Sequence, residues 1–260
     1  MKIVVIGGGN MGGAIALGMA SNRSVNPSDI TVINRTAEKN QAIKEKNGLI
    51  NAVSGDYSAL KEADIVILGV KPWMVQEVLN THKSNLNSKQ IIISVAAVIS
   101  LAQLNEWTFP KAPLYRVIPN TAIAIKQSMT FIASRNTSPE QDIFIKSLFD
   151  SLGKTMFIEE KLVPAVTSLS SCGIAFAFKY IRAAMEGGVE MGISPTQGKD
   201  ILIQTLRGAI ELLEMNESHP EEEIDKVTTP GGITIKGINE MEHAGFTSAV
   251  IRGLKASFVK

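Results

Sequence analysis

The sequence contains few of the residues on which several common functions depend. A single cysteine, Cys172, excludes an intramolecular disulfide and fits a reducing compartment. Only three histidines are present, and their spacing does not match a metal site. The net charge of +1 gives no reason to expect a nucleic-acid partner. Because the N-terminus also lacks a signal sequence and a bilayer-length apolar run, we expect a cytoplasmic protein with no membrane partner.

What the sequence does contain is an alternation of apolar strands and helices across its first half. The 260 residues are 45% hydrophobic and 20% charged, as in an ordinary folded protein of one large or two modest domains. Two of the apolar runs are continuous, which is typical of strands covered on both faces. The pattern predicts an α/β Rossmann-like dinucleotide-binding domain over residues 1–155. Its strands are expected at residues 2–6, 30–34, 65–69, 91–95, 114–117 and 129–133, with a short last strand near 155–158.

Residues 156–260 have helical rather than alternating periodicity. Helices are expected over residues 160–192 and 194–213, and a final helix over 238–258, with a long loop at 216–237 before it. Three helices of this length cannot bury their apolar faces against one another alone. The segment is therefore predicted to be an all-α dimerisation and substrate domain that packs against a second copy of the chain.

The N-terminal segment carries the strongest motif. The strand at residues 3–6 is followed by glycines with the spacing G-x-G-x-x-G (Gly7, Gly9 and Gly12) and then by an alanine-rich helix. The first glycine allows the turn, the second lets the backbone approach a pyrophosphate, and the third allows close packing of the helix on the strand. The helix N-terminus then receives the phosphates. A dinucleotide site is predicted here, with a plain structural turn as the alternative.

The end of the second predicted strand distinguishes between the two nicotinamide dinucleotides. An acidic residue at this place binds the ribose 2′-hydroxyl of NADH and repels a 2′-phosphate. The sequence instead has Asn34, Arg35 and Thr36, which offer hydrogen-bond donors and a planar guanidinium suited to phosphate. NADPH is therefore the predicted cofactor, with NADH as the weaker binder. The alternative is that Arg35 is an ordinary surface residue of the loop.

Three further loops follow predicted strands at the edge where ligands of open α/β sheets bind. Pro72 fixes the turn after the third predicted strand, and Val70 is placed to contact a nicotinamide face. The small side chains after the next strand leave room for a cofactor. Asn120 carries an amide suited to orienting the nicotinamide or the substrate, with ordinary turn chemistry as the alternative. The candidates in these loops are Val70, Lys71, Pro72, Val95, Ala96, Ala97 and Asn120.

The most unusual segment is Thr-Pro-Gly-Gly-Ile-Thr at residues 229–234. Pro-Gly-Gly at the start of a helix leaves several backbone N–H groups unpaired and pointing the same way, with threonine hydroxyls beside them. Such a site fits a carboxylate, and a threonine-capped Pro-Gly loop is the alternative. A run of small polar residues at 168–173 lies inside a predicted helix, where either close helix packing or a ligand contact would explain it.

The sequence has no arrangement of Ser, His and Asp and no lysine placed as a general base. A reductase can act without a strong acid when its substrate is already cationic, as a protonated imine is. Hydride transfer then requires only alignment and an anchored carboxylate.

Together these motifs resemble the Δ1-pyrroline-5-carboxylate reductase family over nearly the whole chain. The resemblance implies NADPH-dependent hydride transfer to 1-pyrroline-5-carboxylate, giving L-proline in the last step of proline biosynthesis. It also implies an active site at the interface of a homodimer and, in many members, assembly of the dimers into decamers. The segments that carry it are the glycine loop and residues 34–36, 70–72, 94–97, 116–120, 166–192 and, most specifically, 219–234.

The resemblance further implies roles for individual residues. Thr234 lies near the ring nitrogen as the candidate catalytic residue, and Glu217 approaches the substrate from the neighbouring subunit. The implied substrate-binding residues are Glu217, Thr229, Gly231, Gly232, Ile233, Thr234 and Asn120. The implied cofactor-binding residues are Ile6, Gly7, Gly9, Asn10 and Met11, together with Asn34, Arg35, Thr36, Val70, Lys71, Pro72, Val95, Ala96 and Ala97.

Three features depart from the family's pattern. The chain has Ser-Ser-Cys-Gly-Ile-Ala-Phe at residues 170–176, where the family usually has Ser-Gly-Ser-Gly-Pro-Ala-Tyr. Ile233 stands where a smaller residue is common, and Asp56 stands where Asn occurs and disfavours an anion nearby. Two alternatives therefore remain beside the leading hypothesis, namely a reductase of another cyclic imine and a non-catalytic nucleotide-binding paralogue.

Overall fold

The computed structural model describes residues 1–258 and divides the chain into two compact units, residues 1–171 and the residues from 172 onward. The first unit contains a sheet with helices, and the second is helical throughout its described elements. This confirms the predicted fold class, an α/β Rossmann-like domain followed by an all-α domain.

The first unit is built on an eight-stranded sheet, counted over the described residues. All neighbouring strands are parallel except one antiparallel pair, formed by Leu114–Ile118 and Ser128–Arg135. The strands are β1 Ile3–Ile6, β2 Ile30–Asn34, β3 Asn51–Ser54, β4 Ile65–Leu68, β5 Ile91–Ser94, β6 Leu114–Ile118, β7 Ser128–Arg135 and β8 Gly153–Phe157. Their order is β3-β2-β1-β4-β5-β6-β7-β8. Strands β2 and β3 therefore lie on one side of β1, and β4 pairs with the other side of β1. The carboxyl ends of β1 and β4 therefore form the switch point at which ligands of such sheets bind.

Helices cover both faces of this sheet. Along β1, Ile3 and Val5 belong to one apolar cluster, whereas Val4 and Ile6 belong to a second cluster on the opposite face. Burial on both faces explains why the strands are continuously apolar rather than alternating. The helices of this unit are α1 Asn10–Ala20, α2 Ala37–Lys46, α3 Val75–Thr81, α4 Leu101–Trp107, α5 Pro139–Asp150 and α6 Val163–Val166.

A helical segment extends from Glu160 to Glu190. After α6 it widens into a π-helical stretch, Thr167–Cys172, which coincides with the run of small polar residues noted in the sequence. The second unit begins with α7, Gly173–Glu190. Four further helices follow in its described part: α8 Pro195–Asn216, α9 Pro220–Val227, α10 Ile233–His243 and α11 Phe246–Ala256.

The helical segment Glu160–Glu190 is the one helix in residues 1–258 that is long and apolar enough to cross a membrane by length and composition. Only 11% of its most apolar window is buried within the chain. A helix that packs against a second subunit exposes the same kind of surface in a single chain, so length and composition alone do not assign it to a membrane.

Several sequence expectations for element boundaries were wrong. Strand β3 was not predicted, because it is a short strand at the sheet edge with only one buried residue, Ala52. The predicted domain boundary at 155–156 falls inside β8, which pairs with β7 and so belongs to the sheet. Completing the sheet therefore takes residues from beyond that boundary.

The predicted loop at 216–237 was also wrong, since it contains α9 and the first turn of α10. Helix α9 has Pro220 at its first position and three acidic residues in its first turn, both standard start signals. Helix α10 begins directly after Gly232, as the Pro-Gly-Gly interpretation required. The single predicted last helix is two helices, because Gly245 adopts a left-handed backbone conformation (φ +81°) between α10 and α11.

Candidate functional site

The glycine loop that follows β1 is tightly packed at two of its three motif glycines, Gly7 and Gly12. Gly7 has a positive φ of +99°, which favours glycine, and its N–H donates to the Ile33 carbonyl at 2.8 Å. A Cβ atom on Gly12 would lie 2.1 Å from the Gly7 carbonyl oxygen, so this position requires glycine for packing. A Cβ atom on Gly9 would meet nothing within 4 Å. The loop therefore presents open space at Gly9, where a pyrophosphate is expected to lie.

The N-terminus of α1 is suited to an anion. Gly9 is its N-cap residue, no side chain caps the helix, and no acidic residue occupies its first turn. The N–H groups of Asn10, Met11 and Gly12 are therefore left for an external acceptor at the positive end of the helix dipole. These groups fit the phosphates of the predicted dinucleotide.

Asn34 is buried beneath the loop rather than open to solvent. Its Oδ1 accepts from the Gly8 N–H at 2.7 Å, and its Nδ2 donates to Asn40 Oδ1 at 2.8 Å. Asn40 in turn donates to Ser54 Oγ at 2.7 Å. This buried chain of amides fixes the loop against the ends of β2 and β3. The cofactor contact assigned to Asn34 from the sequence remains a prediction.

Arg35 and Thr36, in contrast, are exposed at the start of α2. Thr36 is the N-cap residue of α2, but its side chain makes no capping hydrogen bond. One turn later, Lys39 lines a cavity of about 750 Å³ that begins at Gly8 and Gly9 and continues between α1 and α2. Sequence reasoning did not single out Lys39, although its position on the first turn of α2 was a usable signal.

Lys46 and Lys126 also line this cavity, and the sequence analysis did not identify them either. Three cations around one cavity attract an extended anion. The volume is within the usual range for small-molecule sites, which is roughly 300–1,000 Å³.

Adjacent strands bring the other cofactor candidates to the same edge. The Gly69 N–H donates to the Ile6 carbonyl at 2.8 Å, and the Val95 N–H donates to the Leu68 carbonyl at 3.2 Å. A Cβ atom on Gly7 would lie 3.0 Å from Val70 Cγ1, so the Val70 side chain lies beside the glycine loop. The carboxyl ends of β1, β4 and β5 are thus joined, and Val70 and Val95 are placed along one edge.

Asp56 lies in the loop after β3 and is exposed. Its Oδ1 accepts from the Ser58 N–H at 2.9 Å, and hydrogen bonds from Ser58 lower the pKa of its carboxyl below the usual range. The ionised form of the carboxyl is therefore favoured, which keeps a negative charge in the loop after β3.

Arg116 belongs to the segment 116–120 noted in the sequence, and in the structure its side chain is buried and bonded to two partners. Its side chain is 10% exposed, and Nη1 donates to Glu160 Oε1 at 2.9 Å. Its Nη2 donates to the Ala97 carbonyl, and the same Glu160 oxygen accepts from the Leu101 N–H at 2.7 Å. A charged pair thus connects β6, the loop after β5, the start of α4 and residue 160.

Asn120 makes hydrogen bonds within the first unit. Its Oδ1 accepts from the Ala122 N–H at 3.0 Å, and its Nδ2 donates to Ser170 Oγ at 3.2 Å. Ser171 Oγ donates to the Pro119 carbonyl at 3.2 Å. The turn after β6 is therefore bonded to the π-helical stretch. Asn120 thus stabilises its own turn, and the polar residues at 170–171 serve to bond to that turn. The substrate contact of Asn120 remains a prediction.

In the second unit, residues 229–234 form a turn that opens α10. Gly231 has a φ of +74°, and the Gly232 N–H donates to the Thr229 carbonyl at 2.8 Å. Gly232 is the N-cap residue of α10, which has no side-chain cap and no acidic residue in its first turn. The first N–H groups of α10, beginning at Ile233, are therefore left for an anion such as a carboxylate.

Thr234 and Thr229 lie on either side of this helix start. The Thr229 hydroxyl is adjacent to Gly232, since a Cβ atom there would lie 2.6 Å from Thr229 Oγ1. Thr234 lines an apolar cavity of about 380 Å³ between α8, α9 and α10, together with Glu223 and Ile224. The structure thus brings both threonines to the helix start that the sequence singled out.

Glu217 ends α8 in a left-handed conformation (φ +48°). The turn around it is held by Glu223, whose Oε1 accepts from Ser218 Oγ at 2.5 Å, Asn216 Nδ2 at 3.1 Å and Lys226 Nζ at 2.6 Å. These hydrogen bonds lower the pKa of Glu223 to about 2. Sequence reasoning did not identify Glu223.

No group of three His, Cys, Asp or Glu side chains within residues 1–258 is arranged to hold a metal ion.

Two family models match the chain. A model described as pyrroline-5-carboxylate reductase dimerisation matches residues 160–260, and one described as NADP oxidoreductase, coenzyme F420-dependent, matches residues 2–98. A chain from Plasmodium falciparum, described as pyrroline carboxylate reductase with NADP bound, superposes with a TM-score of 0.89 at 26% identity, covering 99% of this chain and 95% of that one.

Two curated relatives come from Dictyostelium discoideum. Pyrroline-5-carboxylate reductase 1 is 37% identical over 98% of this chain, which spans 48% of that protein's length. Pyrroline-5-carboxylate reductase 2 is 36% identical over 100% of this chain and 91% of its own length. The similarity extends through the glycine loop, the sheet and the helical unit, and the chain therefore belongs to the pyrroline-5-carboxylate reductase family.

Proposed function

We propose that this chain is an NADPH-dependent reductase that converts 1-pyrroline-5-carboxylate to L-proline, the last step of proline biosynthesis. The proposal is carried by one observation, namely that in a chain of this family the glycine loop and the Thr-Pro-Gly-Gly turn each present a helix start that no side chain caps. One follows the glycine loop at α1 and suits a pyrophosphate. The other follows Gly231 and Gly232 at α10 and suits a carboxylate.

The proposed reaction needs no strong acid from the protein. Bound NADPH supplies a hydride. The reactive substrate is a protonated cyclic imine, whose C=N carbon accepts the hydride while the π electron pair moves to nitrogen, which keeps its proton. The product is a cyclic secondary amine. The protein contributes alignment of the ring and an anchored carboxylate.

The substrate carboxylate is assigned to the start of α10. The N–H groups of Ile233 and Thr234 and the Thr229 hydroxyl donate to it, and the positive φ of Gly231 shapes the turn that presents them. The Thr234 hydroxyl lies near the ring nitrogen in this proposal. Glu217 reaches the substrate of a neighbouring subunit.

The cofactor is assigned to the first unit. The first-turn N–H groups of α1 hold its pyrophosphate, and Val70 and the segment 95–97 border its nicotinamide ring. Arg35 and Thr36 bind the 2′-phosphate, and Lys39 adds a third donor from the first turn of α2.

The proposed working form is a homodimer at least, with decamers as the larger assembly. The matched dimerisation model covers residues 160–260, and helices α7, α8 and α11 carry many exposed apolar residues in the single chain. The proposed location is the cytoplasm, without a nucleic-acid or membrane partner.

An assay of NADPH oxidation with 1-pyrroline-5-carboxylate tests the proposal. Turnover that depends on the imine and exceeds that with NADH is expected. Faster turnover with a six-membered cyclic imine would favour the reductase of another imine. NADPH binding without any imine-dependent oxidation would favour a non-catalytic paralogue, for which the altered residues 170–176 are the relevant departure.

A further inference from the structure

The buried guanidinium of Arg116 holds a turn at the cofactor edge of the sheet. Arg116 lies on β6, and its residue is 8% exposed. Its two terminal nitrogens donate to different partners, Nη1 to Glu160 Oε1 and Nη2 to the Ala97 carbonyl. The planar fork of an arginine matches two acceptors at fixed geometry, whereas a lysine offers a single point charge.

Glu160 extends the same network to a helix. Its Oε1 accepts from Arg116 and also from the Leu101 N–H at 2.7 Å, in the first turn of α4. The carboxylate thus lies at a helix N-terminus, where a negative charge is favoured. The pair holds the segment from Ala97 to Leu101 at both ends.

The turn that the pair holds is the one assigned to the nicotinamide side. It begins with Val95, bonded to Leu68 at 3.2 Å, and includes a 3.1 Å bond from the Ile99 N–H to the Ala96 carbonyl. Within this turn Val98 is exposed, whereas Ala96 is buried and Ala97 packs against the apolar cluster on that face of the sheet. The carbonyl of Ala97 accepts from the Arg116 guanidinium.

Stability alone is a poor explanation for this pair. The pair is only partly buried, since the Glu160 side chain is 34% exposed, and ion pairs open to solvent contribute little to stability. This pair also leaves Arg116 Nε buried without a hydrogen-bond partner among residues 1–258, which carries a desolvation penalty. The planar fork instead fixes the relative positions of its two acceptors, the Glu160 carboxylate and the Ala97 carbonyl.

We infer that Arg116 and Glu160 are positioning residues that hold the turn 95–98 in the conformation that receives the cofactor. The inference rests on the proposed function, because it takes NADPH as the ligand of this edge. When the pair is broken, the turn samples other conformations. The apparent Kd for NADPH then rises in inverse proportion to the fraction of the binding-competent conformation.

The test uses the full chain and the variants Arg116→Lys, Arg116→Met and Glu160→Gln. Two quantities are measured, the Kd for NADPH by titration without substrate and the amide hydrogen exchange of residues 95–101. We expect the Kd to rise at least tenfold in Arg116→Met and several-fold in Glu160→Gln, with faster exchange confined to 95–101. Arg116→Lys is expected to fall between them, because one bond can be kept. The control is Lys146→Met, which removes one partner of the exposed Lys146–Asp150 pair and leaves the Kd unchanged.

Folded variants with the wild-type Kd would overturn the inference, and so would exchange that accelerates throughout the sheet. If Arg116→Met does not fold, Glu160→Gln decides the matter, since it keeps the shape of the side chain and an acceptor oxygen. A wild-type chain that fails to bind NADPH would contradict the proposed function instead. In that case the exchange of residues 95–101 still decides whether the pair holds the turn.

Discussion

Gly9 and Gly12 belong to the same motif, yet the structure gives them different requirements. A methyl group at Gly12 would collide with the backbone carbonyl of Gly7, whereas one at Gly9 would enter open space. Glycine at position 12 is needed for the fold, whereas glycine at position 9 is needed for the ligand that enters the loop.

The first prediction separates these two requirements. Gly12→Ala should lower the free energy of unfolding by about 2 kcal/mol or more, because backbone must move. Gly9→Ala should lower it by less, about 0.5–1 kcal/mol, since the added methyl group meets open space and the loss is only that of a glycine N-cap replaced by alanine. Gly9→Ala should instead raise the Kd for NADPH roughly tenfold or more. Urea denaturation and NADPH titration measure the two quantities; equal losses of stability would show that the space at Gly9 is not open.

The second prediction concerns Thr234. Thr234→Ala should reduce kcat/KM for the imine by roughly 10- to 100-fold, the value of one hydrogen bond to a charged group. Thr234→Ser keeps the hydroxyl and serves as the matched variant, with most of the activity retained. The Kd for NADPH should change less than about twofold in both, because the residue lies in the other unit. A parallel loss of NADPH binding in Thr234→Ala would remove the role assigned to it.

The third prediction concerns cofactor choice. Arg35→Ala and Lys39→Ala should each lower the NADPH-to-NADH ratio of kcat/KM, by roughly tenfold for Arg35, because each removes a cation that a 2′-phosphate would contact. Lys44→Ala removes the same charge from the last turn of α2, outside the cavity lining, and should leave the ratio unchanged. An unaltered ratio in Arg35→Ala would contradict the assignment of NADPH to this loop.

At the scale of single elements, the first turn of the short helix α9 holds the turn that ends the preceding helix, α8. Glu223 of α9 holds the turn around Glu217 through bonds from Asn216, Ser218 and Lys226. The donors stabilise the ionised carboxyl, which lowers its pKa to about 2 from an ordinary value of 4.5. A depressed pKa in the fold means that the stabilisation is complete above pH 4.5 and is lost as the pH falls toward 2.

The fourth prediction follows from that sign. The free energy of unfolding of the wild-type chain, followed by its helical circular dichroism in denaturant, should fall as the pH is lowered from 4.5 to 2, partly through Glu223. Glu223→Gln should be less stable at neutral pH and should show a smaller acid-dependent change. Glu222→Gln, a neighbouring carboxylate without a side-chain donor in residues 1–258, is the control. Identical acid profiles for wild type and Glu223→Gln, followed by circular dichroism, would exclude this contribution.

The sequence predicted elements well where a local signal was strong. The apolar runs predicted six strands of the sheet, two of them continuous, and Pro-Gly-Gly predicted the start of α10, because these signals depend on neighbours in the chain. Strand β3 and helix α9 were missed, since β3 is polar at an edge and α9 has few apolar residues to show periodicity. The roles of Arg116, Glu160, Lys39 and Glu223 depend on partners distant in sequence or on the shape of a cavity, which composition and spacing do not reveal.

At the scale of the whole molecule, the second unit exposes a large apolar surface in the single chain. Phe178 of α7 is 62% exposed and is accompanied by exposed apolar residues on α8 and α11. A soluble monomer rarely exposes contiguous surface of this kind, and the matched dimerisation model covers the same residues.

The fifth prediction tests that surface. Phe178→Asp should shift the chain toward a smaller species in sedimentation analysis, because a buried unpaired charge disfavours the interface. Its Tm should fall and lose its dependence on protein concentration. The matched control is Leu49→Asp, which puts the same charge on an equally exposed apolar site (66%) in the first unit and should leave the assembly intact. An unchanged sedimentation coefficient for Phe178→Asp would place the interface elsewhere.

The π-helical stretch Thr167–Cys172 has a consequence for how this chain tolerates changes in length. A π turn closes a hydrogen bond over one more residue than an α turn does. Deleting one residue elsewhere in a helix rotates everything after it by about 100°, which would turn an apolar stripe away from its partner. Within Thr167–Cys172 the same deletion is absorbed by tightening the wide turn to an ordinary one, so this stretch is where the segment can be shortened without re-phasing α7.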